Sequence, residues 1–494
     1  MSSRTLVLTA LCALPLSASA ADTGVDLSFA QSGWRRMFES GGGTQDEKAA
    51  AFARTADGGY VIAAELPGGG ADGGTGKRIG LFRLDRDGNY VTSGFGDSGK
   101  VVKDAWLTSV TDMTVDAQGR IVVVGGTPGQ GGVSDFGVVR FDADGSDDAS
   151  FAGDGGTSFG FDVTGLDTED APTSVLVDPD GRIVVAGNVR YSTGEHRFGV
   201  VRFDVDGTQD STFGNVSDGH GGFLGTEDKF ANGRDAYASR ILHIAGGYYV
   251  VAGTSVYSGT DTDFAARILT PSGGPWADFV GSVAFPIDVP GSGGSLFDNL
   301  SDAILVDPTT ILLVGSASGR FAATRIKAGT ENGSSQYTTL TADPTFTGHP
   351  AGADCDYCYV GSTTGSSGES AAVRSDGRIL LVGDTSSFGV SGAFLDGIEG
   401  PAGNTFSHAG LVTRLNPDGT PDSGFGINGS YLIVAPSSGS QSYHTEFKRV
   451  RFDGPQPVIL GSAVDSLSSV TDFDAVITRL NADQIFADGF ESVP

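Results

Sequence analysis

The 494-residue chain carries 77 glycines, only three methionines and a formal net charge of −29, with 18% of its residues charged. Little Lys and Glu beside much Gly, Asp, Ser and Thr is the composition of a turn-rich all-β protein rather than a helical one. The charge argues against nucleic acid and anionic membrane surfaces as partners, because binding either needs clustered Lys and Arg.

The chain opens on MSSRTLVLTALCALPLSASAAD, where Arg4 precedes an apolar run from Leu6 to Leu16 and Ala18-Ser19-Ala20 supplies small residues. This pattern predicts a signal peptide over 1–20 and an exported mature chain, periplasmic or extracellular. Cys12 follows Leu11, where a lipoprotein signal needs Gly or Ala, so it is not read as a lipid anchor. No later run approaches the roughly 18 apolar residues of a membrane span, which predicts no membrane insertion.

Beyond the signal, one element recurs seven times: a turn followed by an apolar strand that closes on a small residue. The closing residues are Ala64, Gly125, Gly187, Gly253, Gly315, Gly383 and Gly461. A second element alternates strictly with it, an apolar run interrupted by arginine, as in GVVRFDADG and GVVRFDVDG. Its arginines are Arg83, Arg140, Arg202, Arg267, Arg325, Arg414 and Arg479. A fixed repeat decides architecture before anything else.

Thr173 to Phe223 gives the clearest unit: TSVLVD, a DPDG turn, RIVVAG, then FGVVRFD and a DGTQDSTFG turn into a fourth strand. Short strands linked by Asp-Gly turns form an antiparallel meander, which cannot bury both faces alone. Tandem meanders bury them against one another, which predicts a seven-bladed β-propeller of four-stranded antiparallel blades over 21–491, with 492–494 as a tail. The last unit, RLNADQIFADGF, stops before its fourth strand, and DLSFAQSGWRRMF, Asp26 to Phe38, supplies the missing turn and strand. The N-terminal strand is therefore expected to close the ring inside the last blade and remove the open edges.

The pattern DGRIVVAG, then DFGVVRFDADG, then D-x-x-F-G resembles the delta-60 repeat of exported bacterial proteins, over nearly the whole mature chain. The closing IFADGFE, Ile485 to Glu491, resembles tails of other exported bacterial proteins. The repeat implies a fold and no reaction.

The repeat arginines sit on third strands, away from the channel and among apolar neighbours. They read as blade-packing residues whose heads bond carbonyls or an adjacent blade's carboxylate, rather than as an anion ring. The acidic turns at Asp85, Asp142 and Asp204 have calcium-like oxygen chemistry. They lack the third acid and the bidentate Glu of an EF-hand, so turn geometry is the first reading and calcium the second. Cys355 and Cys358 in DCDYCYV lie in a Gly/Ser/Thr-rich stretch of an exported chain and read as a local disulfide, with metal or redox chemistry as alternatives. Two thiols do not complete a zinc site. The six histidines, His196, His220, His243, His349, His408 and His444, show no metal-like spacing, no nucleophile elbow is present, and no metal or catalytic residue is assigned.

Two stretches break the repeat: about 341–370, which holds the cysteines, and TSSFGVSGAFLDGIEGPAGNTFS, about 385–407. In a four-stranded blade both would emerge on one face, over blades five and six, and loops on a rigid scaffold are where binding resides. The predicted patch is Asp354, Tyr357, Tyr359, Phe388, Phe394, Asp396 and Glu399, with the aromatics exposed. The expected function is a monomeric, non-enzymatic binding or scaffold protein contacting a protein or glycan. The alternative is a secreted enzyme acting on a polysaccharide or similar polymer.

Overall fold

The computed structural model describes residues 24–37, 46–68, 77–104, 106–129, 132–161, 169–191, 193–217, 223–230, 235–258, 261–275, 282–287, 296–330, 336–348, 355, 357–386, 395–396, 405–426, 429–435, 442–464 and 473–481. The predicted signal segment and the IFADGFE tail lie outside them. Among the described residues the chain is all-β, with helical structure confined to single 3-10 turns.

The repeats fold as antiparallel meanders. In the third, Asp170–Val177 pairs with Ile183–Arg190, which pairs with His196–Phe203, which pairs with Phe223–Asp228. The first and second are four-stranded sheets of the same order, beginning at Lys48–Arg54 and Asp112–Val115. Two larger sheets hold nine strands each, because short parallel contacts join neighbouring meanders. Asp261 and Thr262 pair with Leu296 and Phe297 in one of them. In the other, Thr405, Phe406 and His408 pair with Ser442, Tyr443 and His444.

The acidic turns are closed by their own backbone. Asp85 accepts the N–H groups of Asp87 and Asn89 at 2.9 and 2.8 Å, and Asp144 accepts that of Ser146 at 2.9 Å. These are the side-chain-to-backbone bonds for which turns select Asp. Among the described residues, no group of three or more His, Cys, Asp or Glu is placed to hold a metal ion.

The core lies between meanders. Val122, Val124 and Phe136 of the second pack with Val175, Ile183 and Val185 of the third. Phe52, Tyr60 and Ile62 of the first pack with Val458, Leu460 and Ile477 of the last. Each such side chain contributes about 1.5–3 kcal/mol by leaving water, so a meander that lost its neighbours would lose most of its support. The first strand of every meander touches the first strands on either side, and Lys48–Arg54 touches Ser442–Asp453. Trp34–Met37 pairs antiparallel with Phe473–Arg479 and provides the last meander's fourth strand.

A repeated three-residue device seals these interfaces. Arg140 is 1% exposed, and its Nε donates to Asp148, eight residues on, at 2.6 Å. Its Nη1 donates to the Val205 carbonyl in the next meander's turn at 2.6 Å, and its guanidinium lies 4.6 Å from the Phe151 ring centre. Arg202 repeats this with Asp210, the Pro271 carbonyl and Phe213. Arg325 does so with Asp343, the Pro417 carbonyl and Phe346. Arg479 takes Asp26, the Arg86 carbonyl and Phe29, joining the two ends of the chain. The phenylalanine also explains the turn glycine of the next meander: a Cβ on Gly273, where φ is +81°, would lie 2.6 Å from the Phe213 ring. Arg83 and Arg267 have Val91 and Pro275 where the acid should be, and turn instead to Asp57 and Asp228.

Candidate functional site

The insertion between Ile379–Thr385 and Thr405–Leu415 enters and leaves the described fold next to two polar residues. Asp384 directly follows Gly383, and His408 lies near the start of the returning strand. That strand pairs parallel with Ser442–Asp453 before turning into its own meander, which sets His408 opposite His444. The imidazole centres are 4.4 Å apart, and the edge of Phe473 packs on His444 at 4.8 Å.

Strand alternation puts Glu446 and Lys448 on the same side as His444. His444 Nε2 donates to Glu446 Oε1 at 2.8 Å, and Lys448 Nζ stands 3.6 Å from Glu446 and 3.7 Å from Glu369. These contacts separate the two carboxyls electrostatically. The hydrogen bond from His444 holds Glu446 down at about 2. Burial, reinforced by the Glu446 and Glu369 charges, pushes Asp384 up to about 6. Burial and the neighbouring His444 lower His408, whose Nδ1 is buried with no hydrogen-bond partner among the described residues. The cluster thus holds a carboxyl that is neutral in mildly acidic solution beside one that stays ionised, within reach of imidazole and ammonium groups. It can accept, donate and relay protons, and it can bind hydroxyl groups of either polarity.

Asp384 also occupies a repeat position with a structural use. The residue after the closing small residue of strand two accepts a backbone N–H from the next meander: Asn188 from Ala238 at 2.7 Å, Thr254 from Leu300 at 3.0 Å, Ser462 from Ala49 at 3.3 Å. Asp384 puts a titratable group in that joint, at the base of the insertion.

Of the predicted patch, Asp354, Phe388, Phe394 and Glu399 lie outside the described residues, and Asp396 is described through its backbone alone, in a short parallel pairing with Ser430–Ile433. Tyr357 is half-buried. Tyr359 corrects the expectation of exposed aromatics: it is 4% exposed, because Cys358–Val360 pairs with Arg320–Thr330 and turns the ring into the core beside Phe321 and Leu411. The Cα atoms of Cys355 and Cys358 are 5.9 Å apart, within disulfide range. His408, His444, Asp384 and Glu446 were not singled out by sequence. The available signal was that Asp384 and His408 border the insertion.

Residues 119–151, 179–213 and 403–425 match a family model described as a domain of unknown function (DUF5122) beta-propeller. The match supports reading the repeats as β-propeller units without singling out the delta-60 repeat. No curated protein matches the chain. Among solved structures, a glucose dehydrogenase is 11% identical, with 90% of this chain and 99% of that one covered and a TM-score of 0.36. The polysaccharide lyase Uly1 is 11% identical, with coverages of 91% and 92% and a TM-score of 0.41. A PL25 ulvan lyase is 10% identical, with coverages of 89% and 95% and a TM-score of 0.42.

Proposed function

We propose that the chain is an exported, seven-bladed propeller that binds a hydroxyl-rich ligand, a glycan before a protein, on the face carrying the insertion between Thr385 and Thr405. The observation that carries this reading is the packing of His408, at one flank of the insertion, on His444 with its bond to Glu446, at a place where the Glu446 and His444 charges also act on Asp384, at the other flank. A floor of hydrogen-bonding groups suits sugar hydroxyls better than an apolar peptide. Export rests on the Arg4-to-Ala20 pattern. Closure of the ring is supported by the pairing of Trp34–Met37 with Phe473–Arg479 and by the Asp26–Arg479 ion pair at 2.8 Å. A Cys355–Cys358 disulfide would staple the entry to the sixth blade. Two titratable thiols in the unfolded, unreduced protein would remove it.

One observation favours the enzymatic alternative, a polymer-acting acid–base catalyst: Asp384 and Glu446 titrate about 4 units apart within one cluster. A panel of glycans and polymers, read for binding and for chain cleavage together, separates the two. The binding reading expects a retained glycan without turnover, and at least tenfold weaker retention in His444→Ala and in a chain whose residues 387–404 are replaced by a Gly-Ser link. Turnover lost in Asp384→Asn would establish the catalytic reading. Unchanged binding in both variants would move the site elsewhere.

A further inference from the structure

The first strands share a second feature, a register skip opposite the same point of strand two. It falls between Ala49 and Ala51, Pro172 and Ser174, Ala238 and Arg240, Leu300 and Asp302, Gly368 and Ser370, and Phe447 and Arg449. Asp112 holds the corresponding place in the second meander, opposite Val124. A bulge re-aims the side chain that follows it, and here the re-aimed side chains meet.

Arg240 Nη1 donates to Asp112 at 2.7 Å and its Nε to Asp302 at 2.7 Å, so one side chain spans from the fourth meander to the second and the fifth. Ser370 donates to the other Asp302 oxygen at 2.7 Å, and the Ile241 N–H donates to Ser174 at 3.2 Å. Contacts between meanders that are not neighbours place this group where the first strands converge.

Two further arginines, Arg449 and Arg451, enter from the last meander, and together with Arg240 they lower the Asp302 carboxyl against the raising effect of its burial. Against Asp112 and Asp302 stand Arg240, Arg449 and Arg451: three cations and two anions, a local positive excess inside a protein of net charge −29. The bonds of Arg449 and Arg451 run to neutral carbonyls, those of Lys448 and Val450. Arg240 Nη2 and Arg449 Nε are buried without a hydrogen-bond partner among the described residues, although Arg240 is 92% buried by its 8% exposure. A buried guanidinium N–H left unmatched is costly, and guanidinium groups take carboxylate and phosphate oxygens in pairs.

We propose that this convergence is a binding site for a small oxyanion, a carboxylate or a phosphate, gripped by Arg449, Arg451 and the free Nη2 of Arg240. Asp302 and Asp112 take the Nε and Nη1 of Arg240 and leave its Nη2 unmatched. Arg451 is exposed and Arg449 half-buried, which gives the solute an approach.

The test is calorimetric titration and thermal unfolding of the whole protein with inorganic phosphate, sulfate, acetate and malonate, against chloride at equal ionic strength so that screening is held fixed. At least one oxyanion should bind saturably and raise the melting temperature. Arg451→Gln, which loses only a bond to a neighbouring carbonyl, should fold and bind roughly tenfold or more weakly, and Arg449→Gln should do the same. Phosphate and sulfate binding without the carboxylates would identify a tetrahedral oxyanion, and the reverse a carboxylate. No saturable binding by any of the four, or equal affinity in Arg451→Gln, would overturn the proposal.

Discussion

Arg140 and Asp148 are both almost fully enclosed, and neither would tolerate burial alone. Breaking such a pair by removing one partner costs about 3–5 kcal/mol, because the other charge stays in the protein without compensation. The eight-residue spacing of Arg140–Asp148, Arg202–Asp210 and Arg414–Asp422 therefore marks how these meanders are built, and where Val91 and Pro275 replace the acid the arginine keeps its place by recruiting Asp57 or Asp228. Asp384 is the opposite case, a carboxyl on which burial and the Glu446 and Glu369 charges outweigh the nearby Lys448 and His444. Unfolded, it titrates near 3.8; in the fold, at about 6. The folded chain thus retains a proton that the unfolded chain has released, so this contribution is complete below about pH 4 and is lost as pH rises through 6, an effect of at most about 3 kcal/mol. Asp384→Asn cannot titrate there and should gain stability over the parent between pH 4 and 7, measured by urea midpoints. A difference that does not change with pH would show that Asp384 titrates normally. The repeat arginines were legible in the sequence because each interrupts an apolar run that alternates strictly with the strand closing on a small residue. His408 and His444 were not, since only the parallel register between the inserted strand and the next meander brings them together.

At the scale of the strand, the sequence displayed closing glycines without their reason. The register skip in strand one drives a carbonyl oxygen against strand two, so a Cβ at Gly253 would lie 1.9 Å from the Tyr237 oxygen, and one at Gly315 1.9 Å from that of Asn299. The obstacle is backbone on both sides, with no side chain free to swing away. Gly253→Ala should destabilise by about 1–3 kcal/mol or more, read as a lower urea midpoint with unchanged slope, whereas Gly194→Ala, with nothing within 4 Å but a φ of +84°, should cost only the smaller backbone strain. Equal stability of Gly253→Ala and the parent would mean that the skip relaxes freely. The first meander carries Ala64 at this position, opposite Ala49, with the same register skip. Meander boundaries were readable because Asp-Gly turns and apolar alternation are local signals. The skips were not, because an extra residue in strand one is defined only against its partner.

At the scale of the molecule, the N-terminal segment carries a disproportionate share of the assembly. Residues 25–37 provide Phe29 and Met37 to the core shared by the first and last meanders, Asp26 to Arg479, and a full strand to the exposed side of Phe473–Arg479. Phe29 further stacks edge-on against Tyr60 of the first meander at 6.3 Å, so the segment grips both sides of the junction. Were the junction closed by side-chain packing alone, removing the segment would cost only a few buried groups. Because it also satisfies the last strand's backbone, its loss exposes a pairing edge between two meanders that then have no shared core at Phe29. A chain starting after residue 37 should melt at a markedly lower temperature and associate through the bared edge, detected by light scattering. Adding an excess of a peptide of residues 24–37 should raise the melting temperature and suppress association, since an exposed edge accepts an added strand in trans. The control peptide carrying Asp26→Asn and Phe29→Ala keeps the strand but loses the arginine clamp and the core anchor, and it should rescue only weakly. Full stability of the shortened chain without peptide would show that the junction of the first and last meanders is held elsewhere and does not depend on the N-terminal strand.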